Sequence, residues 1–169
     1  MRSARHELDS QANRILTRSR RFMVGSALIV VVVDALTKGL AASHGTVHRN
    51  PGMSFGLLAD TPWLATIVST LALIAVGWAA WRWVRNTADA LGWGLILGGA
   101  VGNALDRYVQ TSSSGVVDWI SIPGYPAYFN IADVAIRLGA VIVIARLSWS
   151  AFRRPAVIRS EQLVTTDRE

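Results

Sequence analysis

Four apolar runs divide the chain, and each approaches the length that a helix needs to cross a bilayer. They extend over about residues 22–40, 63–84, 88–105 and 131–149. A hydrocarbon core about 30 Å thick requires about 20 predominantly apolar residues in a helix. The pattern therefore predicts an all-α integral membrane protein with four transmembrane helices. The sequence shows no internal repeat and no second domain.

Three of these runs carry further signals. The second run ends in "WRWVRN", a Trp and Arg pattern that is typical of a membrane interface. The third contains Gly94, Gly98 and Gly102, which lie on one face of a helix and predict close contact with a neighbouring helix. The first run contains Asp34 and Lys38 and is followed by no small-residue cleavage site, so we expect a retained helix rather than a removed signal peptide.

The distribution of Lys and Arg predicts the orientation. Six lie in the N-terminal tail, two between the second and third runs and five at the C-terminal end, against three on the opposite side. By the positive-inside rule both termini are cytoplasmic. The domains expected are a basic cytoplasmic tail (1–21), a membrane domain (22–150) and a second cytoplasmic tail (151–169).

This topology places residues 41–62 and 106–130 outside the cell membrane. Both segments are rich in Gly, Pro, Ser and Asn. The stretch "HRNPGMSFGLLAD" mixes turn residues with weakly alternating apolar residues. It predicts a short strand or hairpin at the membrane surface, as a small extracytoplasmic β-like cradle beside a loop.

Composition supports a membrane protein and excludes several function classes. Of the 169 residues, 51% are hydrophobic, seven are Trp and none is Cys, so disulfides, thiolate nucleophiles and Cys-ligated metals are excluded. The formal charge of +6 lies in short Arg-rich flanks of the apolar runs rather than on a basic face interleaved with aromatics. Anionic membrane lipids, and not nucleic acid, are therefore the expected partners of these flanks.

Polar side chains cluster at the outer ends of the predicted helices. A charged residue at the centre of a spanning helix costs about 2.5–3.5 kcal/mol, so such residues usually face a polar interior. The positive-inside topology brings the cluster to one depth, near the outer interface. Its members are Asp34, Lys38, Asn103, Asp106, Arg107, Asn130 and Asp133, with Asp118 in the loop between the last two runs.

Most of these residues also have a purely structural interpretation, and Asn103 could satisfy the carbonyls at the end of its helix. Asp34 and Lys38, four residues apart, could neutralise each other. Asn130 could be a helix N-cap with Asp133 at the third helical position, and Asp106 with Arg107 could form a solvated turn. His44 and His48 lack a further ligand at metal-site spacing, so no metal and no other cofactor is expected.

Two carboxylates held close together in a partly desolvated place tend to share one proton. One then acts as a base toward water while the other polarises a carbonyl, which allows amide hydrolysis without a metal or a covalent intermediate. Asp118 and Asp133 are joined by a loop with Pro123 and Pro126, long enough to bring them together. They are the candidate pair.

Five blocks of sequence resemble the bacterial lipoprotein signal peptidases, also called signal peptidase II. They are "DALTK", "NPGMSFG", "GGAVGNALDR", "GVVDWI" and "FNIAD", and they occur in the family order within about residues 22–150. The resemblance implies an aspartyl endopeptidase that cleaves the signal peptide from diacylglyceryl-modified prolipoproteins, just before the lipidated cysteine. It implies a multi-pass protein of the bacterial cytoplasmic membrane with its active site near the extracytoplasmic face.

The resemblance also implies roles for individual residues. Asp118 and Asp133 correspond to the catalytic pair. Asn103, Asp106, Arg107 and Asn130 correspond to supporting positions, Asp106 being the main rival for a catalytic role. The structural or substrate-positioning residues are Asp34, Lys38, Asn50 and Gly52.

The chain departs from the family pattern in its basic N-terminal tail, which has no counterpart in the family, and at three further places. Trp119 stands where Phe is frequent, the segment "YVQTSSSG" is longer than usual, and Arg137 lies one turn after Asp133, where it could pair with it or point away. An alternative function is a small transporter or proton-relay protein whose ionisable residues line a pathway. That function favours charges distributed over the full membrane depth, whereas here they gather at one end.

Overall fold

The fold is mainly helical. The computed structural model describes residues 2–45, 47–53, 57–109 and 115–152. In chain order its elements are helix α1 (Arg2–Ser43), strand β1 (His48–Asn50), helix α2 (Pro62–Trp83), helix α3 (Thr87–Val109), strand β2 (Val116–Asp118) and helix α4 (Ile131–Phe152). Each predicted apolar run corresponds to one of these helices, although the second run extends one residue past α2 to its C-cap, Val84. Residues 110–114 of the long segment "YVQTSSSG" and the C-terminal tail beyond 152 lie outside the described residues.

Helix α1 continues from the basic tail into the first apolar run without a break. Its 42 residues correspond to about 63 Å at 1.5 Å per residue, about twice the thickness of a hydrocarbon core. Within the described residues, α1 over Arg5–Ser43 and α2 over Pro62–Trp83 are long and apolar enough to cross a membrane by length and composition. Two of the four predicted membrane helices therefore meet this criterion, and the crossing of the membrane by the other two stays a prediction.

Helix α3 is the centre of the bundle. It packs along α1 and α4 and against α2, while α2 makes its main contacts with α3 alone. Its glycines explain the close approach, because a Cβ at Gly98 would lie 2.6 Å from the carbonyl oxygen of Ala27, and one at Gly102 would lie 2.7 Å from Asp34 Oδ2. The predicted glycine contact face is confirmed, and its neighbour is α1.

The two strands form an antiparallel pair beside the helix ends. His48 lies opposite Asp118 and Asn50 opposite Val116. The strand expected in the outer segment is present at β1, but its partner is β2, about 70 residues away in sequence, rather than the second arm of a local hairpin. Residues 54–56 of that segment lie outside the described residues.

A second short pairing closes the loop that follows β2. Ile120 and Phe129 form an antiparallel bridge in which the Ile120 N–H donates to the Phe129 carbonyl at 2.9 Å, and the reverse bond is 3.1 Å. This bridge returns the chain to the end of β2 just before α4 begins. It therefore sets Asp118 beside the N-terminus of α4.

The glycine contact can be tested by adding one methyl group. We expect Gly98→Ala to lower the free energy of unfolding by about 1–3 kcal/mol, because the new Cβ would overlap the α1 backbone. Gly39→Ala in α1 is the matched control, since no atom lies within 4 Å of its Cβ position. It should be neutral or stabilising by up to about 1 kcal/mol. Thermal unfolding midpoints in detergent micelles measure both effects, and equal midpoints for the two variants would contradict the packing described.

Candidate active site

Lys38 is the centre of a buried polar cluster between α1 and α3. Its Nζ lies 2.6 Å from Asp34 Oδ2 and 2.8 Å from Asp106 Oδ2, and it donates to Asn103 Oδ1 at 3.2 Å. The sequence predicted the pair with Asp34. The second carboxylate, Asp106, comes from another helix and was not predicted as a partner.

The two carboxylates that contact Lys38 also hold the backbone on either side of the site. Asp34 Oδ1 accepts a hydrogen bond from the Ala132 N–H at 2.9 Å, in the first turn of α4. Asp106 Oδ2 accepts one from the Val117 N–H of β2 at 3.0 Å. Ala132 precedes Asp133 and Val117 precedes Asp118. Lys38 is therefore connected, through one carboxylate each, to both elements that carry the candidate catalytic aspartates.

Asn130 connects the two candidate aspartates directly. Its Oδ1 accepts a hydrogen bond from the backbone N–H of Asp133 at 2.9 Å, and its backbone N–H donates to Asp133 Oδ2 at 3.4 Å. This is the reciprocal capping arrangement expected at the start of α4. Its Nδ2 donates to Asp118 Oδ1 at 2.6 Å. Asn130 thus has the predicted structural role and also bridges the pair.

Two further amides hold the outer oxygens of the pair. Asn103 Nδ2 donates to Asp133 Oδ1 at 2.9 Å, and Asn50 Nδ2 lies 3.4 Å from Asp118 Oδ2. Asp118 is only 2% exposed. Burial, and secondly the negative charge of Asp133, raise the pKa of Asp118 to about 6. The carboxyl of Asp118 therefore binds a proton far more readily than an exposed aspartate does.

Arg107 links the outer segment to α3. One of its guanidinium nitrogens donates to the Gly52 carbonyl at 2.8 Å, and the other donates to the Asn103 carbonyl at 3.0 Å. Gly52 N–H in turn donates to Asn50 Oδ1 at 3.1 Å. A Cβ on Gly52 would lie 2.5 Å from the Leu57 carbonyl oxygen, so the turn has room only for glycine. Asn50 and Gly52 therefore belong to one cradle beside the pair.

A cavity of about 690 Å³ opens from this polar cluster. Asp118, Asp133 and Asn103 line its head, while its body lies between α2 and α4 over α3. The body is lined mainly by apolar side chains, among them Leu73, Val76, Ile96 and Ile136. Asp106 is absent from the lining. The cavity therefore combines a carboxylate head with an apolar groove.

The rim of the cavity includes residues that the sequence did not indicate. His48 stacks on Tyr128 with ring centroids 4.9 Å apart, and both line the cavity. This stacking fastens β1 to the loop before α4. The only sequence signal for this contact was the alternating pattern that places His48 in the predicted strand. No local pattern relates His48 to Tyr128, which is 80 positions away.

The question about Arg137 has a structural answer. Its guanidinium carbon lies 5.7 Å from the centroid of the Phe129 ring, and none of the ion pairs within the described ranges joins it to Asp133. Arg137 lines the cavity without neutralising the pair. Within the same ranges, no three His, Asp or Glu side chains form a group that could hold a metal ion.

The predicted site residues therefore come together in one place. Asp118, Asp133, Asn103 and Asn130 form the hydrogen-bonded core, Asp34, Lys38 and Asp106 lie behind it, and Asn50, Gly52 and Arg107 form the cradle in front.

Comparison with known proteins gives a consistent assignment. The family model for signal peptidase (SPase) II matches residues 26–149. A lipoprotein signal peptidase of Mycobacterium leprae is 32% identical over 145 residues, covering 75% of this chain and 71% of the relative. One from Syntrophomonas wolfei is 33% identical over 135 residues, covering 71% of this chain and 88% of the relative.

Solved structures show the same fold. A bacterial membrane enzyme determined by the in meso method at 2.3 Å resolution superposes with a TM-score of 0.65 at 25% identity, over 79% of this chain and 92% of that one. A second, at 1.9 Å resolution, gives 0.63 at 30% identity, over 74% and 91%. The family match covers most of the chain, from α1 to α4. The chain therefore belongs to the signal peptidase II family.

Proposed function

We propose that the chain is an intramembrane aspartyl endopeptidase that removes the signal peptide from diacylglyceryl-modified prolipoproteins, cleaving just before the lipidated cysteine. Membership of the signal peptidase II family makes the protein a protease of lipoprotein precursors. The catalytic type, the scissile bond and the roles of individual residues are the proposal. Asp118 and Asp133 are its catalytic residues.

One observation carries this proposal: a single residue, Asn130, is hydrogen-bonded to both aspartates at the head of the cavity, to the carboxylate of Asp118 through its side chain and to the carboxylate of Asp133 through its backbone N–H. It donates to Asp118 Oδ1 at 2.6 Å and accepts from the Asp133 N–H at 2.9 Å. Both aspartates line the same cavity. A pair fixed in this way can hold one water molecule and one substrate carbonyl between them.

The proposed reaction follows from the protonation of the pair. Asp118 holds the shared proton, because burial and the charge of Asp133 raise its pKa to about 6. The Oδ2 atom is the available position, since its contact with Asn50 is long at 3.4 Å, whereas Oδ1 accepts the short bond from Asn130. Asp133 is then the base.

In the first step Asp133 takes a proton from water, the water oxygen bonds to the scissile carbonyl carbon, and Asp118 gives its proton to the carbonyl oxygen. A tetrahedral gem-diol results. In the second step Asp133 returns its proton to the amide nitrogen and the C–N bond breaks, while Asp118 recovers a proton from one hydroxyl. The products are a signal peptide with a new carboxyl group and a lipoprotein whose lipidated cysteine has a free amine.

The apolar part of the cavity suits the proposed substrate. The groove between α2 and α4 is lined by Leu73, Val76, Ile96 and Ile136, which can contact a hydrophobic signal peptide and acyl chains. We further propose that all four helices cross the cytoplasmic membrane with the active-site end outside. A lipid anchor would then hold the scissile bond at the depth of the aspartates, so that the lipid positions the reacting group.

Asp118→Asn and Asp133→Asn should each lower the rate of cleavage by on the order of 10³-fold or more, because neither variant can share one proton between two carboxylates. The measurement is cleavage of a diacylglyceryl-modified prolipoprotein by purified protein. Unchanged unfolding midpoints would show that the loss is chemical. Full activity in either variant would remove the proposed roles.

Asp106→Asn distinguishes the third aspartate from the pair. Asp106 contacts Lys38 and the β2 backbone and does not line the cavity. We expect this variant to keep measurable cleavage and to unfold at a lower temperature, since it weakens a buried ion pair. Complete loss of activity with an unchanged unfolding midpoint would instead make Asp106 catalytic.

The pH profile tests which form of the pair is active. Since the pKa of Asp118 is about 6, this residue keeps its proton at lower pH. At higher pH Asp118 loses the proton, and the form of the pair with one shared proton disappears. We therefore expect kcat/KM to fall as the pH rises through about 6. We expect kcat to fall only at a higher pH, because bound substrate excludes water from the pair and so raises the pKa further.

Asn50→Ala removes a hydrogen bond that lowers the pKa of Asp118, so it should move the alkaline limb of the profile to higher pH. A limb that moves to lower pH in this variant would contradict the assignment.

Treatment with EDTA should leave the cleavage rate unchanged, because in the proposed reaction the two carboxylates activate the water themselves. The same preparation assayed with and without added divalent cations is the control. Activity lost with EDTA and restored by a metal ion would replace the proposed mechanism with a metal-dependent one.

A further inference from the structure

A second groove lies at the opposite end of the bundle from the aspartates, between α1 and the end of α2. Its volume is about 610 Å³ and its lining includes Arg20, Arg21, Val24, Leu28 and Trp81. The two arginines lie at one end of the groove. Leu28 lies about 12 Å farther along α1, at 1.5 Å per residue. The groove therefore has a cationic head and an apolar body.

The head of the groove is held in a fixed geometry. The guanidinium carbon of Arg20 lies 4.1 Å from the centroid of a Trp81 ring, and the same group donates to the Trp81 carbonyl at 3.2 Å. Arg20 Nε is buried at the base of this head and has no hydrogen-bond acceptor in the part of the chain that the structure describes. One donor of a positioned guanidinium is thus unused.

Among the described residues, no carboxylate forms an ion pair with this head. The ion pairs within the described ranges involve Lys38 and Arg146 but neither Arg20 nor Arg21. Two uncompensated cations beside an apolar surface are complementary to a ligand with an anionic head and hydrocarbon chains. The guanidinium groups of Arg20 and Arg21 attract an anionic lipid when the bilayer holds the lipid phosphate at the same depth.

Tryptophans indicate that the head lies at the depth of lipid phosphates. Trp78, Trp81 and Trp83 are exposed near the end of α2, and Trp149 is exposed near the end of α4. Exposed Trp side chains gather at membrane–water interfaces. The body of the groove, with Val24 48% and Leu28 59% exposed, then lies at the depth of acyl chains.

We infer that this groove binds one anionic glycerophospholipid, with its phosphate at Arg20 and Arg21 and an acyl chain along Val24, Gly25 and Leu28. The site is distinct from the cavity of the aspartates and is independent of the proposed peptidase reaction. With the orientation given by the positive-inside rule, the lipid comes from the cytoplasmic leaflet. It would fasten α1 to α2, the helix that otherwise packs mainly on α3.

The test compares phosphatidylglycerol with phosphatidylcholine of the same acyl chains, added to the full-length protein in neutral detergent. Native mass spectrometry reports retained lipid, and the unfolding midpoint reports stabilisation. We expect phosphatidylglycerol to remain bound and to raise the midpoint, and phosphatidylcholine to do neither. Inorganic phosphate should have no effect. Equal stabilisation by phosphate or by phosphatidylcholine would overturn the lipid site.

Two double variants separate the groove from general surface charge. Arg20→Gln with Arg21→Gln should weaken phosphatidylglycerol binding roughly tenfold or more. Arg82→Gln with Arg85→Gln removes the same charge from exposed positions that do not line the groove, and should leave the binding nearly unchanged. Equal losses in both variants would show general attraction and contradict the inference.

A third variant retains both arginines and fills the groove. Gly25 lines the groove, and no atom lies within 4 Å of its Cβ position, so Gly25→Leu should fold and obstruct the acyl chain. Gly39→Leu, equally open and in the same helix, is the control. We expect only Gly25→Leu to lose phosphatidylglycerol retention, and unchanged retention would overturn the proposed position of the acyl chain. Cleavage activity in these variants bears on the peptidase proposal alone.

Discussion

The arrangement of the candidate active site depends on the buried ammonium group of Lys38. It contacts Asp34 and Asp106, and each of these carboxylates also accepts a backbone N–H, from Ala132 and Val117 respectively. A buried carboxylate is stable only when its charge and its lone pairs are satisfied. The cation and the backbone donors do this together. As a result α1 fixes the position of β2 relative to α4, and with it the position of Asp118 relative to Asp133.

The capping of α4 and the proposed catalytic geometry use the same hydrogen bonds. Asn130 satisfies the Asp133 N–H at the start of the helix while its amide nitrogen contacts Asp118. A helix N-terminus also favours negative charge in its first turn. The structural and functional interpretations of these residues are therefore not alternatives, since the cap is what holds the second carboxylate in place. Burial of the Asp118 carboxyl and the charge of Asp133 raise the pKa of Asp118 to about 6, which favours the proton sharing proposed for the pair.

The two ends of the bundle differ in how their charged side chains are placed. One end encloses charges that neutralise one another around a cavity, and at the other end the half-buried Arg20 and the exposed Arg21 line a groove beside tryptophans. Helix α3 allows this arrangement, because its glycines bring α1 close enough for Lys38 to reach Asn103 and Asp106. Helix α2 packs mainly on α3, so both grooves open along its sides. The proposed substrate and the inferred lipid would each occupy one of them.

The sequence by itself determined the features that depend on near neighbours in the chain. These are the apolar runs, the start of α4 at residue 131, the glycine contact face, the Asp34–Lys38 pair and the Asn130–Asp133 cap. Carboxylate chemistry and loop length suggested Asp118 and Asp133 as a pair, and the resemblance to the family implied their catalytic role. Only the tertiary structure decided that Asp34 binds the backbone 98 residues away, that β1 pairs with β2, and that Arg137 faces Phe129. Helical periodicity and capping are set by residues a few positions apart, whereas these contacts depend on which helix faces meet and how closely they approach.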